Sequence, residues 1–117
     1  MLPTGRLLPL DDPASFHAGL RLAEIQFDDV FSGLEFAGEL CTARIDDPGS
    51  QRAMVLTFDR TYRECVVYTP GHRKAVCIEP YTSAPDAFRL SEQGIDAGQR
   101  VLSPGESWTA NVTIEIQ

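Results

Sequence analysis

Few of the residues that usually announce chemistry or compartment occur in this chain. It has two histidines, His17 and His72, and three cysteines, Cys41, Cys65 and Cys77. An odd cysteine count with no C-x-x-C spacing argues against a zinc knuckle, a redox pair or a disulfide framework. Each cysteine lies in an apolar or strand-like run and reads as a small buried hydrophobe in a reducing compartment. Clusters of basic residues are missing too: 17 acidic side chains stand against 10 basic ones, for a formal charge of -7. That balance argues against a nucleic-acid partner and against an anionic membrane surface. No apolar run approaches the roughly 20 residues that would span a bilayer. The first ten residues are broken by Pro3, Gly5 and Pro9 and do not form a signal peptide. Asn111-Val112-Thr113 fits a glycosylation sequon, but no secretory context accompanies it, and the expected compartment is the cytoplasm.

What is present is a chain of 117 residues, 43% hydrophobic and 23% charged, which suits a small folded domain rather than a disordered segment. Residues 1–15 are rich in proline and aspartate and read as an extended entry segment. Residues 20–27 fit either a short strand or one helical turn. Residues 37–45 and 52–59 are strand-like, joined by Asp46-Asp47-Pro48-Gly49-Ser50, where proline presets φ and glycine supplies a positive one. Together they predict an antiparallel hairpin. Residues 64–69 and 75–79 are further strands, closed by Pro70-Gly71 and by Pro80. Residues 81–98 read as a long ordered loop with one helical turn, and residues 100–102 as a short strand before the turn Ser103-Pro104-Gly105-Glu106. In the last strand Trp108, Ala110, Val112, Ile114 and Ile116 alternate with polar residues, which predicts one buried face and one wet face. Six or seven short strands without a sustained helix predict an all-β fold, an antiparallel β-sandwich or part of one.

Several catalytic signatures are absent: a glycine-rich phosphate loop, a G-x-S-x-G elbow and H-E-x-x-H. No cofactor motif and no metal ligand set replaces them. Two carboxylate settings stand out. Glu79 ends the apolar run Ala75-Val76-Cys77-Ile78, where partial desolvation suits an acid to proton transfer. It equally fits a strand-end glutamate reaching into water. In Phe27-Asp28-Asp29-Val30-Phe31 two acids are enclosed by aromatics, an arrangement that can hold a sugar by stacking and by hydrogen bonds to its hydroxyls. Asp28 equally fits a turn cap.

Four stretches in order, LPTGRLLPL, FDDVF, VVYTPGHRKAVCIEPYTSAPDAF and GIDAGQRVLSPGESWTANVTIEI, carry a resemblance. Their pattern is an L-P-T-G entry, an aspartate between aromatics, an apolar strand ending in glutamate, a P-D-A-F loop, and an L-x-P-G-E turn before a final strand. It is similar to the C-terminal end of the aldose 1-epimerases, or galactose mutarotases. The resemblance implies a β-sandwich that forms part of a larger supersandwich, with residues 1–117 as a single partial domain equivalent to its last third. It implies interconversion of the α and β anomers of an aldose, without cofactor or metal. Glu79 matches the family's catalytic base, which removes the anomeric hydroxyl proton, and Asp28 matches the aspartate that binds sugar hydroxyls. The family's general acid is a histidine in an H-x-x-x-N-like segment, with a second histidine and an arginine further upstream. No such segment occurs here, and His17 and His72 do not match its context.

Two expectations follow. The chain alone is a poor mutarotase, or else a non-catalytic carbohydrate-binding or structural β-sandwich module. A truncated sandwich also leaves sheet edges and an apolar face uncovered, so self-association, or pairing with a missing N-terminal portion, is expected.

Overall fold

Alternating side chains and proline-rich breaks produce six short strands, which pair into two antiparallel three-stranded sheets. A computed structural model describes residues 2–117; Met1, the first residue of the expected entry segment, lies outside them. The strands are β1 (Asp28–Ser32), β2 (Leu40–Asp47), β3 (Arg52–Asp59), β4 (Glu64–Tyr68), β5 (Cys77–Tyr81) and β6 (Val112–Ile116). One sheet has the order β1-β4-β5 and the other β2-β3-β6. With two short helices, α1 (Pro13–Ala18) and α2 (Ala87–Glu92), the fold is all-β and sandwich-like, as the strand pattern implies.

The β2–β3 hairpin forms where expected, with Ala43 opposite Leu56 and Ile45 opposite Met54. Its turn is held differently from the sequence expectation. The Asp47 carboxylate accepts the Gly49 N–H at 2.9 Å and the Ser50 hydroxyl at 2.7 Å. The residue that takes the left-handed conformation is Gln51, with φ 56°, rather than Gly49. In effect Asp47 supplies the turn by bonding the backbone two residues on.

Three other expectations need correction. Residues 13–18 are helical, because Asp12 accepts the Ser15 N–H at its N-cap and Pro13 occupies the first turn, where its missing donor costs nothing. Pro80 does not end β5 but lies inside it, opposite Cys65, on the outer strand of its sheet, where a proline leaves no inward hydrogen bond unmade. Residues 100–102 form no strand; the Arg100 guanidinium instead sits 4.6 Å from the centre of the Trp108 ring. Between residues 20 and 27 the choice falls to a single 3₁₀ turn, Leu22–Glu24.

Apart from the paired Asp47 and Arg52 at the hairpin end, one face of sheet β2-β3-β6 is apolar: Cys41, Ala43 and Ile45 on β2, Phe58, Leu56 and Met54 on β3, and Val112, Ile114 and Ile116 on β6. Its centre is well covered, with Leu56 and Phe58 buried and Phe58 edge-on to both Phe36 and Tyr62. The β6 end is not. Val112, Ile114 and Ile116 remain 48%, 64% and 69% exposed, so the buried face expected of the last strand is open in this chain. Alternation set the apolar residues on one side, but among the described residues none covers the β6 part of that side fully.

Asp59 anchors β6 to β3. Its carboxylate accepts the Asn111 backbone and side-chain N–H groups, each at 2.8 Å, together with the Thr61 N–H and hydroxyl. These bonds favour the ionised form and lower its pKa to about 2. The Asn111 side-chain amide, the acceptor atom of the sequon, is thereby engaged within the fold.

The cysteines are free thiols. Burial pushes Cys65 up to about 11, and the half-buried Cys41 is raised by the same cause.

Two measurements check this account. Because the Asp59 pKa is lower folded than unfolded, its stabilisation is complete above about pH 4 and is lost as the pH falls towards 2. Thermal melts are therefore expected to show a shallower decline between pH 4 and 2 for Asp59→Asn than for the unaltered chain. Thiol labelling with a disulfide reagent at pH 7.5 is expected to leave Cys65 unmodified until denaturant is added.

Candidate functional site

The register of the β1-β4-β5 sheet assembles the site. Asp28 pairs with Tyr68, which pairs with Cys77; Val30 pairs with Val66, which pairs with Glu79; Ser32 pairs with Glu64, which pairs with Tyr81. Directly paired residues point to the same side of a sheet, and so do residues two apart along a strand. Asp28 and Glu79 therefore share one face, together with Glu64, Tyr68, Cys77 and Tyr81. Two strand spacings and one two-residue step separate their backbones by about 12 Å. A small ring fits across that interval.

The position of Asp28 is fixed by the pairing just before it. The Thr69 N–H donates to the Phe27 carbonyl at 2.9 Å, and the Phe27 N–H donates to the Thr69 hydroxyl at 2.8 Å. Thr69 is itself buried, so this clamp is shielded from water. The flanking phenylalanines do not act as the sequence pattern suggests. Phe31 pairs with Cys65 and lies on the opposite side of the sheet from Asp28. Phe27 packs edge-on against it at 5.5 Å, and Phe16 of α1 closes the trio at 5.5 and 5.7 Å. These rings dock α1 to the back of the sheet. The aromatics on the Asp28 side are Tyr68 and Tyr81 instead.

Glu79 is half-buried and has a defined partner: the Tyr81 hydroxyl donates to its Oε2 at 3.1 Å. That bond, with the adjacent negative charge, raises the Tyr81 pKa and keeps the phenol protonated. Opposite Tyr81 stands Glu64, which sequence reasoning missed. Its Oε2 is buried without a hydrogen-bond partner, and burial pushes its carboxyl upward in pKa against the lowering effect of Arg63. A single glutamate at the start of a strand gives no local signal. Only the pairing partner reveals which face it serves.

Long-range contacts tie several of the stretches that carry the resemblance to one another. Arg89 of α2 donates to the Pro3 carbonyl at 2.7 Å, tying the L-P-T-G entry to the P-D-A-F segment. Gly5, with φ +83°, passes so close to Ile95 that a Cβ there would lie 2.3 Å from its Cδ1. The Arg63 N–H donates to the Tyr81 carbonyl at 2.9 Å, and its guanidinium is held by Asp96 at 2.7 Å. The Ser103-to-Glu106 turn closes with the Glu106 N–H on the Ser103 carbonyl at 2.9 Å. A polar cleft of about 400 Å³ lies beyond Thr82, bordered by Arg60, Arg63, Arg100 and Trp108.

Neither histidine is brought to the strands that bear Asp28 and Glu79. His17 is on α1, with Nε2 3.6 Å from Glu35, and both are largely exposed. His72 lies in the β4–β5 connection, where its Nδ1 accepts the Lys74 N–H at 3.0 Å. Among the described residues no group of three or more His, Cys, Asp or Glu side chains is placed to hold a metal ion, and no helix is long and apolar enough to cross a membrane.

A half-buried carboxylate bonded by a tyrosine thus shares one face of the sheet with an aspartate. The family model for aldose 1-epimerase matches residues 1–115, nearly the whole chain, and the protein belongs to that family.

Proposed function

We propose that this chain carries the base and sugar-binding side of a mutarotase site, acting on an aldose. The observation that supports this most directly is the shared face of Asp28 and Glu79, with Tyr81 bonded to Glu79. In this reading Glu79 removes the proton from the anomeric hydroxyl. The electron pair of that O–H bond forms the C1 carbonyl as the bond from C1 to the ring oxygen breaks. The ring oxygen takes a proton, the open-chain aldehyde turns about its C1–C2 bond, and reclosure gives the other anomer. Asp28 accepts hydrogen bonds from sugar hydroxyls and sets the ring over Glu79. Tyr81 holds the carboxylate in the orientation needed for proton abstraction.

The acid histidine of the family has no counterpart at His17 or His72. We therefore propose that residues 1–117 correspond to the C-terminal part of the family sandwich and make a weak catalyst by themselves. Each positioned proton transfer contributes on the order of 10²- to 10⁴-fold, so losing the better acid should cost about that much. The open β6 face supports the companion proposal that the chain self-associates or pairs with an N-terminal portion. A binding-only role is the second reading. It is favoured by the exposure of Tyr68, which leaves the sugar face open to solvent.

Anomer exchange measured by NMR from freshly dissolved α-aldose tests the first reading. The purified chain is expected to exceed the buffer rate only modestly, and Glu79→Gln to fall back to it. Exchange equally fast in Glu79→Gln would refute the assignment of the base. Asp28→Asn is expected to weaken sugar binding roughly tenfold, from loss of a charged hydrogen bond worth about 1.5 kcal/mol. Light scattering at high protein concentration checks the open face: a monodisperse monomer would count against association.

A further inference from the structure

A sheet edge presents unpaired N–H and C=O groups to any strand that fits it, and folded proteins usually guard such edges with charge or proline. Of the outer strands here, β1 opens with Asp28-Asp29, β2 carries Arg44, Asp46 and Asp47, and β5 contains Pro80. The remaining outer strand is unguarded. β6 reads Val112-Thr113-Ile114-Glu115-Ile116, with one charge and no proline, and its three aliphatic side chains stand open to water.

The pairing of β6 with β3 fixes which of its backbone groups are spent. Gln117 and Ala53 exchange both N–H···O bonds, at 2.8 and 2.9 Å, and the Asp59 N–H donates to the Asn111 carbonyl at 3.2 Å. Bonded and non-bonded residues alternate along an antiparallel pair. Asn111, Thr113, Glu115 and Gln117 therefore bond inward to β3, while the N–H and C=O groups of Val112, Ile114 and Ile116 point away from the sheet. Among the described residues no other strand pairs with β6. Free backbone and exposed apolar side chains thus fall on the same three residues.

We propose that two copies of this chain pair through their β6 edges, antiparallel about a two-fold axis at Ile114, so that their sheets join into one. The pairing rests on the self-association proposed above and is independent of the mutarotase chemistry. In this register the edge is complementary to itself. Ile114 exchanges hydrogen bonds with Ile114 of the second copy, and Val112 with Ile116 of the second copy, so every outward N–H and C=O of the strand is met. The aliphatic side chains line up on one face. On the other face Glu115 stands opposite Thr113 of the second copy rather than opposite another acid. Neighbouring registers fit less well: a slip of two residues one way sets Glu115 against Glu115, and the other way leaves Ile116 facing a residue outside β6.

Charge opposes this contact and apolar burial drives it. Each chain carries a formal charge of -7, so two copies repel at long range, and added salt screens that repulsion. Association through β6 is therefore expected to tighten with salt, the reverse of an ion-paired interface. One strand per copy is a small contact, below roughly 1,200 Å² in total, so the dimer is expected to dissociate on dilution.

The test combines sedimentation over a range of protein and salt concentrations with amide hydrogen exchange, followed by NMR at the highest and lowest protein concentrations. Support would be a monomer–dimer equilibrium that tightens with salt and an alternating exchange pattern. The Val112, Ile114 and Ile116 amides should exchange roughly tenfold more slowly in the dimer, while those of Thr113 and Glu115 stay protected at both concentrations. Ile114→Lys sets two like charges directly opposite each other and is expected to weaken the dimer roughly tenfold or more. Glu115→Gln, which faces a threonine, is expected to change it less than about threefold. A dimer in which amides 112, 114 and 116 exchange as fast as in the monomer would overturn pairing through β6 and leave self-association standing. So would a dimer that a folded Ile114→Lys forms equally well. A monodisperse monomer at every concentration would overturn both and leave the edge to another occupant, such as an N-terminal portion. Thermal melts check that each variant folds, and the exchange pattern of the unaltered chain decides the outcome if Ile114→Lys does not.

Discussion

The antiparallel register of β4 is the constraint on which the site depends. β4 pairs with β1 on one side and β5 on the other, and each pairing sends alternate residues to opposite faces. With this register Asp28, Glu64, Glu79 and Tyr81 share a surface. A slip of one residue in either pairing would send an acid to the back of the sheet, among Phe31, Val67 and Ile78. The Thr69–Phe27 clamp is therefore more than a local contact. It holds one end of the β1–β4 register from a buried position, while the Arg63-to-Tyr81 hydrogen bond extends β4–β5 at the other end.

Around that sheet the chain concentrates its order on attachments between distant segments. Arg89 reaches Pro3, Arg63 reaches Asp96 and Asp59 reaches Asn111, each joining parts of the sequence that have no local reason to meet. Most of these contacts are exposed, so their individual contributions to stability are small. Their effect is geometric, because they fix where the loops bordering the sheet can lie. The second sheet stands in contrast. Its centre at Leu56 and Phe58 is sealed, whereas its β6 edge presents three large aliphatic side chains to water, a surface that folded proteins normally cover.

Much of the secondary structure was legible in the sequence. The hairpin of β2 and β3, the β4 and β5 runs and the single helical turn in residues 81–98 all follow from alternation and from proline and glycine breaks. The errors have identifiable causes. α1 was hidden because six residues are too few for a helical period to register, and only its Asp12-Pro13 start marks it. Pro80 reads as a strand end until the topology shows β5 on an edge. The phenylalanines of FDDVF look like sugar platforms in a linear pattern, yet alternation and α1 turn them to the back. Glu64 carried no mark at all, since its meaning depends on a residue 17 positions away.

The amino-acid order by itself determined the all-β character, the turn positions, the acidic surface and the motifs that identify the family, because each depends on neighbours within a few residues or on composition. Tertiary structure decided which of those residues act together. Strand pairing is non-local, and the side to which a residue points depends on the register with a partner far along the chain. That is why Glu79 and Asp28 could each be singled out from sequence, whereas the face they share, and Glu64 opposite Tyr81 on it, could not.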